Sequence, residues 1–154
     1  MLNATLVSDT LAEILKQLTR NNHMPKIIIA SGPVIVEDKK VLLNKHGDTP
    51  FWKFCGGRVE NYESNLADNA KREVKEEMGI DIEILDDEPF ITFTRKETAD
   101  GAIDILLVHF LAKRIGEIKP GKDIREWDWL DINNLPEDLG PNILPALKHF
   151  GFVK

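Results

Sequence analysis

Apolar positions recur at two periods along this chain, and the changes of period mark its elements. Leu11, Ile14, Leu15 and Leu18 stand at i, i+3, i+4 and i+7. They predict an amphipathic helix over residues 10–20, capped by Ser8-Asp9-Thr10 and ended by Asn21-Asn22-His23. Lys26 to Glu37 is dense in isoleucine and valine and predicts a core strand, bent or bulged at Gly32-Pro33. A turn at Asp38-Lys39-Lys40 leads into Val41-Leu42-Leu43, and Phe51 to Phe54 makes a short strand ending at a double glycine. The helical period returns over Asn65 to Met78, with Leu66, Ala67, Ala70, Val74 and Met78 on one flank. Strands are predicted at Ile80–Leu85, Pro89–Arg95, Ile103–Leu111 and Trp127–Leu130, with Ala99-Asp100-Gly101 as a turn. Pro141 to Phe150 reads as a last helix, which tolerates Pro145 only in its first turn. No repeat or linker interrupts this order, and periodicity alone allows α+β or α/β.

The second helix also carries chemistry. Glu73, Glu76 and Glu77 fall at i, i+3 and i+4, so their carboxylates converge on one face and repel unless neutralised. One reading is a solvated acidic face with Lys71, Arg72 and Lys75 as ion-pair partners. Upstream, however, Phe54-Cys55-Gly56-Gly57-Arg58 brings a strand end into two glycines, where backbone can approach a ligand closely. Hard oxygen donors beside such a loop suit Mg²⁺ or Mn²⁺, and those ions suit phosphate substrates.

The stretch from Gly57 to Ile80 resembles the signature of the Nudix hydrolases. Gly57, Glu63, Arg72, Glu73, Val74, Glu76, Glu77, Gly79 and Ile80 match its fixed places. Eight residues, Ser64 to Lys71, separate Glu63 from Arg72, one more than the family pattern has, so counting back from Arg72 puts Ser64 at the first glutamate. Cys55 stands where proline is common in the family. The resemblance implies an α/β/α sandwich with a mixed sheet over residues 25–154, and the leucine periodicity makes residues 1–24 a helical extension before it. The resemblance also implies a metal-dependent hydrolase that cleaves a phosphoanhydride in a nucleoside diphosphate linked to another moiety. Glu73, Glu76 and Glu77, with the carbonyl of Gly56 or Gly57, would hold Mg²⁺ or Mn²⁺; Arg72 would brace the loop through Glu63; a carboxylate outside the metal shell would act as base. Glu126, in Arg125-Glu126-Trp127-Asp128-Trp129-Leu130, resembles a late acidic element of the family and is the candidate further acid, with a salt bridge to Arg125 or Lys122 as its rival and Glu97 and Asp100 as other candidates.

Substrate phosphates also need cations from the protein. Lys53 and Arg58 flank the glycines, and Arg95 and Lys96 stand at a strand end. Trp52 and Phe51 are candidates for stacking on a base, although adjacent strand residues point to opposite faces. His109, in a long apolar strand, reads as a core or rim residue before a ligand. The subclass markers of ADP-ribose and diadenosine polyphosphate enzymes are absent: position 95 is Arg and position 97 is Glu. A nucleoside triphosphate or a nucleotide sugar is therefore the expected substrate, and a non-catalytic nucleotide-binding or regulatory domain is the alternative.

Composition limits the partners. A net charge of −6 with pI about 5.2 argues against polymeric nucleic acid, and no apolar run is long enough to span a membrane. The chain has 1 cysteine, so no internal disulfide can form, and a reducing cytoplasm is the expected compartment. The leucine stripe of residues 10–20 needs cover, either on this domain or in a homodimer contact.

Overall fold

In the computed structural model, the described residues are 11–13, 16, 26–62 and 64–154. Residues 11–13 and 16 are helical and exposed; the rest of the expected N-terminal helix, and Glu63, lie outside the described residues. The strands are β1 (Lys26–Glu37), β2 (Lys40–His46), β3 (Gly57–Arg58), β4 (Asp81–Ile84), β5 (Phe90–Thr98), β6 (Gly101–Ile115) and β7 (Ile124–Asp131). The helices are α1 (Leu66–Met78) and α2 (Ile143–His149).

The strands form a mixed sheet in the order β4-β6-β1-β2-β7, with β3 paired to β1 and β5 to β6. β1 and β6 run parallel and the other pairs antiparallel. Alternation along β1 and β2 divides the core. Ile35 and Leu42 pack with Val74 and Met78 of α1, whereas Val34, Val41 and Leu43 pack with Ile143, Ala146 and Leu147 of α2. One helix therefore covers each face, giving the expected α/β/α sandwich.

α1 starts where Asn65 Oδ1 accepts a hydrogen bond from the Asp68 amide (2.8 Å) and stops at Gly79, whose φ of 70° ends it in the left-handed region. Ala70, Val74 and Met78 are fully buried, as the flank predicts. Pro145 is the third residue of α2, inside its first turn.

Two local expectations change. No bulge interrupts β1 at Gly32-Pro33: its register with β6 runs unbroken from Lys26 to Ile35. On its other side β1 pairs β3 at Ala30–Ser31 and β2 at Val36–Glu37, and the gap between is filled by the Cys55–Gly56 backbone. Glycine at position 32 permits that approach, since an added Cβ would overlap the Cys55 carbonyl oxygen. The strand expected at Phe51–Phe54 is reduced to two bridges, Trp52 with Leu139 and Lys53 with Asn44; the strand at this point is β3.

Candidate active site

The double glycine lies against the acidic side of α1. Glu77 is buried, and its Oε2 accepts a hydrogen bond from the Gly56 amide (2.8 Å) while Oε1 stands 3.7 Å from Lys53 Nζ. Burial raises its pKa to about 7; Lys53 and the Gly56 amide oppose the rise, and the Glu73 charge adds to it. Gly57 leaves room for Glu73, because an added Cβ there would overlap the Glu73 carboxylate. Gly56 has φ 143°, and an added Cβ would stand 2.6 Å from the Ser31 carbonyl oxygen. Gly56 is thus required by space and by backbone angle, whereas glycine at 57 leaves the Glu73 carboxylate in place.

Arg72 ties this corner together. It donates to Glu73 Oε1 (2.7 Å), Glu76 Oε1 (3.0 Å), Asn69 Oδ1 (2.8 Å) and the Arg58 carbonyl (3.4 Å). Asn69, itself buried, donates to Ser31 Oγ (2.9 Å) and to the Gly57 carbonyl (3.1 Å). Asn69 and Arg72 therefore fix the glycine loop to the helix that carries the acids. The three carboxylates are unequal: Glu73 is mostly covered, Glu76 exposed and held by Arg72, Glu77 buried. Among the described residues no group of three acidic, imidazole or thiol side chains stands together as a ready metal site. The donor chemistry still fits a hard divalent cation: carboxylate oxygens in a glycine-shaped cradle, held by the countercharges Lys53 and Arg72.

Next to this corner opens a cleft of about 850 Å³ on the sheet face opposite α1. Ile28, Ala30, Ile105 and Leu107 contribute its apolar floor, Phe51 one wall, and Lys53 and Arg58 the end nearest the glycines. Arg95 and Lys96 also reach it, but the Arg95 guanidinium is engaged by both oxygens of Asp104 (2.7 and 3.2 Å). His109 lines the cleft from a buried position, with Nε2 2.7 Å from Asn142 Nδ2 and its ring against Phe54. Burial lowers its pKa to about 4, so the ring is neutral near pH 7.

A model of the NUDIX domain family matches residues 27–150. This chain belongs to that family. It is 32% identical over 114 residues to an ADP-ribose pyrophosphatase of Methanocaldococcus jannaschii, across 71% of this chain and 64% of the relative, so it spans under two-thirds of that protein's length. Among solved structures, a MutT NUDIX hydrolase from Burkholderia pseudomallei superposes with a TM-score of 0.65 at 24% identity, covering 80% of this chain and 97% of that one. A NUDIX hydrolase from Nitrosomonas europaea does so with 0.63 at 25% identity, covering 84% and 76%.

Within this Nudix domain several expected site residues take other places. Trp52 is buried in the α2-side core beneath Lys45 (4.8 Å from Nζ to the ring) and does not face the cleft; alternation sends its neighbours Phe51 and Lys53 there instead. Glu126 is not beside the Nudix helix. Trp127 packs toward α1, so Glu126 faces the other way and pairs with Lys45 (3.8 Å), which also binds Asp138 (2.8 Å); neither Arg125 nor Lys122 is its partner. Arg125 instead donates to the carbonyls of Gly47 and Thr49. Glu97 and Asp100 sit exposed at the β5–β6 turn and do not line the cleft. Cys55 is a buried thiol pushed up to about 12, mainly by burial, and accepts from Asn44 Nδ2 (3.3 Å). Asn69 was not anticipated. The signal for it was a polar residue four positions before Glu73 on a row that otherwise meets the loop.

Proposed function

We propose that this Nudix domain hydrolyses a phosphoanhydride in a nucleoside diphosphate linked to a further group, with Mg²⁺ or Mn²⁺, and that a nucleoside triphosphate or a nucleotide sugar is its substrate. The observation that carries this is the Gly56–Gly57 loop closed on Glu73 and Glu77, with two cations, Lys53 and Arg58, at the adjoining end of an apolar cleft. Lys53 and Arg58 bind the phosphate oxygens by charge-assisted hydrogen bonds. The apolar floor and Phe51 take the less polar remainder of the nucleotide.

Glu73, Glu76 and Glu77, with the Gly56 or Gly57 carbonyl, are the residues that would hold the cation, which would neutralise the pyrophosphate and acidify the attacking water. A carboxylate outside that shell accepts the proton. Arg72 and Asn69 position the carboxylates and the loop without touching substrate. The identity with an ADP-ribose pyrophosphatase supports the linkage class and puts ADP-ribose among the substrates to be tried.

The test is a panel of nucleoside triphosphates, nucleotide sugars and ADP-ribose, assayed for released phosphate, pyrophosphate or nucleoside monophosphate with Mg²⁺, with Mn²⁺ and with excess chelator. Turnover of at least one of these compounds with either metal, and none in chelator, is expected. Nucleotide binding without turnover would favour a regulatory domain, and turnover in chelator would remove the metal.

A further inference from the structure

One side of the cleft is a loop rather than sheet. The chain from His46 to Phe51 lines it, between the end of β2 and the bridges at Trp52 and Lys53. The loop turns where the Thr49 amide donates to the His46 carbonyl (3.0 Å), with Gly47 at φ 52°. At its far end Phe51 rests near Gly140, where an added Cβ would stand 3.4 Å from the ring. A surface loop left to itself samples several conformations, and ordering it on binding costs affinity.

This loop is tied from outside by β7. The Gly47 amide donates to the Asp123 carbonyl (2.9 Å). The Arg125 guanidinium donates through Nη1 to the Gly47 carbonyl and through Nη2 to the Thr49 carbonyl (2.7 Å). Among the described residues neither carbonyl accepts a backbone hydrogen bond. The register of β2 with β7 explains how the arginine arrives there. Lys45 pairs with Glu126 and His46 with Ile124, so Arg125 is the extra residue of a bulge. In regular alternation it would share the α1 face with Trp127; a bulge releases a side chain from that alternation and re-aims it. One planar fork then spans two acceptors, which the point charge of a lysine does not.

We propose that Arg125 is a positioning residue for the substrate: by holding both carbonyls it keeps the His46–Phe51 loop as a preformed wall of the cleft. This rests on the reading of that cleft as the nucleotide site. Arg125 itself does not line the cleft, and no described hydrogen bond or ion pair joins the loop to Glu73, Glu76 or Glu77. The clamp therefore acts on binding and leaves the chemical step to α1.

Arg125→Ala and Arg125→Lys test this in two measurements. Without nucleotide, amide hydrogen exchange at Gly47 and Thr49 should quicken by about 10-fold or more in both variants, because the loop opens more often. For whichever compound of the panel is turned over, KM should rise by about 10-fold with kcat within about twofold, the signature of lost uniform binding; for one that is bound without turnover, Kd is read in place of KM. Phe51→Ala should raise KM in the parent and add little to Arg125→Ala, since both changes remove the same wall. Unchanged exchange, or faster exchange with unchanged affinity, overturns the clamp alone. So do additive effects of Phe51→Ala and Arg125→Ala, a fall in kcat in place of the rise in KM, and full rescue by lysine, which would show that charge suffices without the fork. If no compound is bound or turned over, the reading of the cleft itself falls, and the proposal with it.

Discussion

Among the carboxylates of the site, Glu77 is the one whose surroundings alter its chemistry most. Without a metal it keeps its proton to about pH 7, whereas an unfolded glutamate releases it near 4.5. Between those values the folded state binds more protons, so stability is full at the acid end and is lost as pH rises through 7. At ~1.4 kcal/mol per pH unit the loss is on the order of 3 kcal/mol. The metal-free protein should therefore melt at a lower temperature at pH 8 than at pH 5, and Glu77→Gln should flatten that difference. Added Mg²⁺ should restore the parent at pH 8 and do little at pH 5, where the proton competes for the same oxygens. Glu77→Gln should also lower kcat by roughly two to four decades. A melting temperature independent of pH in the parent would show that Glu77 is not protonated in the fold.

At the scale of elements, the glycine loop and α1 act as one unit, and the spacing of three glutamates on a helix announced only half of it. The helix, its caps and its buried flank were legible because they follow from local period and end chemistry. The loop side was not, because its residues meet α1 through backbone: a Gly56 amide on Glu77, a Gly57 carbonyl on Asn69. The Gly56 amide on Glu77 has no side-chain pattern to announce it, and Asn69 gives only its place on the helix row. Gly57→Ala should displace the Glu73 carboxylate, since the new methyl overlaps it. A shift near 1 Å costs roughly 100-fold in rate, so steady-state assays should show kcat down by about that factor with the fold retained. Unchanged kcat would mean that Glu73 has no fixed place in the reaction.

For the whole molecule, the two faces of one short stretch have different fates. Trp52 belongs to the core between the sheet and α2, Phe51 to the cleft wall. Trp52→Ala should cost about 3–5 kcal/mol in chemical denaturation. Phe51→Ala should leave stability within about 0.5 kcal/mol and raise KM. A stable Trp52→Ala protein with raised KM would reverse the assignment. Strand alternation foretold that one of the pair is core but not which, because the choice depends on Leu139, which bridges Trp52 from a distant part of the chain. The face of Glu126 was hidden for the same reason. Its strand was legible, but its face is set by the packing of Trp127 against residues of α1.

The parallel pairing of β1 with β6 joins Lys26 to Ile103, with most of the domain lying between them in the chain. Closing so large a loop is slow, and its entropic cost falls before the contacts that offset it form. β1 also supplies, at Gly32, the surface on which the Cys55–Gly56 backbone rests, and at Ser31 the hydroxyl that anchors Asn69. The acids of α1 are local and can gather early, whereas the loop that turns them into a site waits for a long-range closure that α1 itself does not need. A nascent or partly unfolded chain thus holds its carboxylates without the cradle, and competence arrives only with the completed sheet.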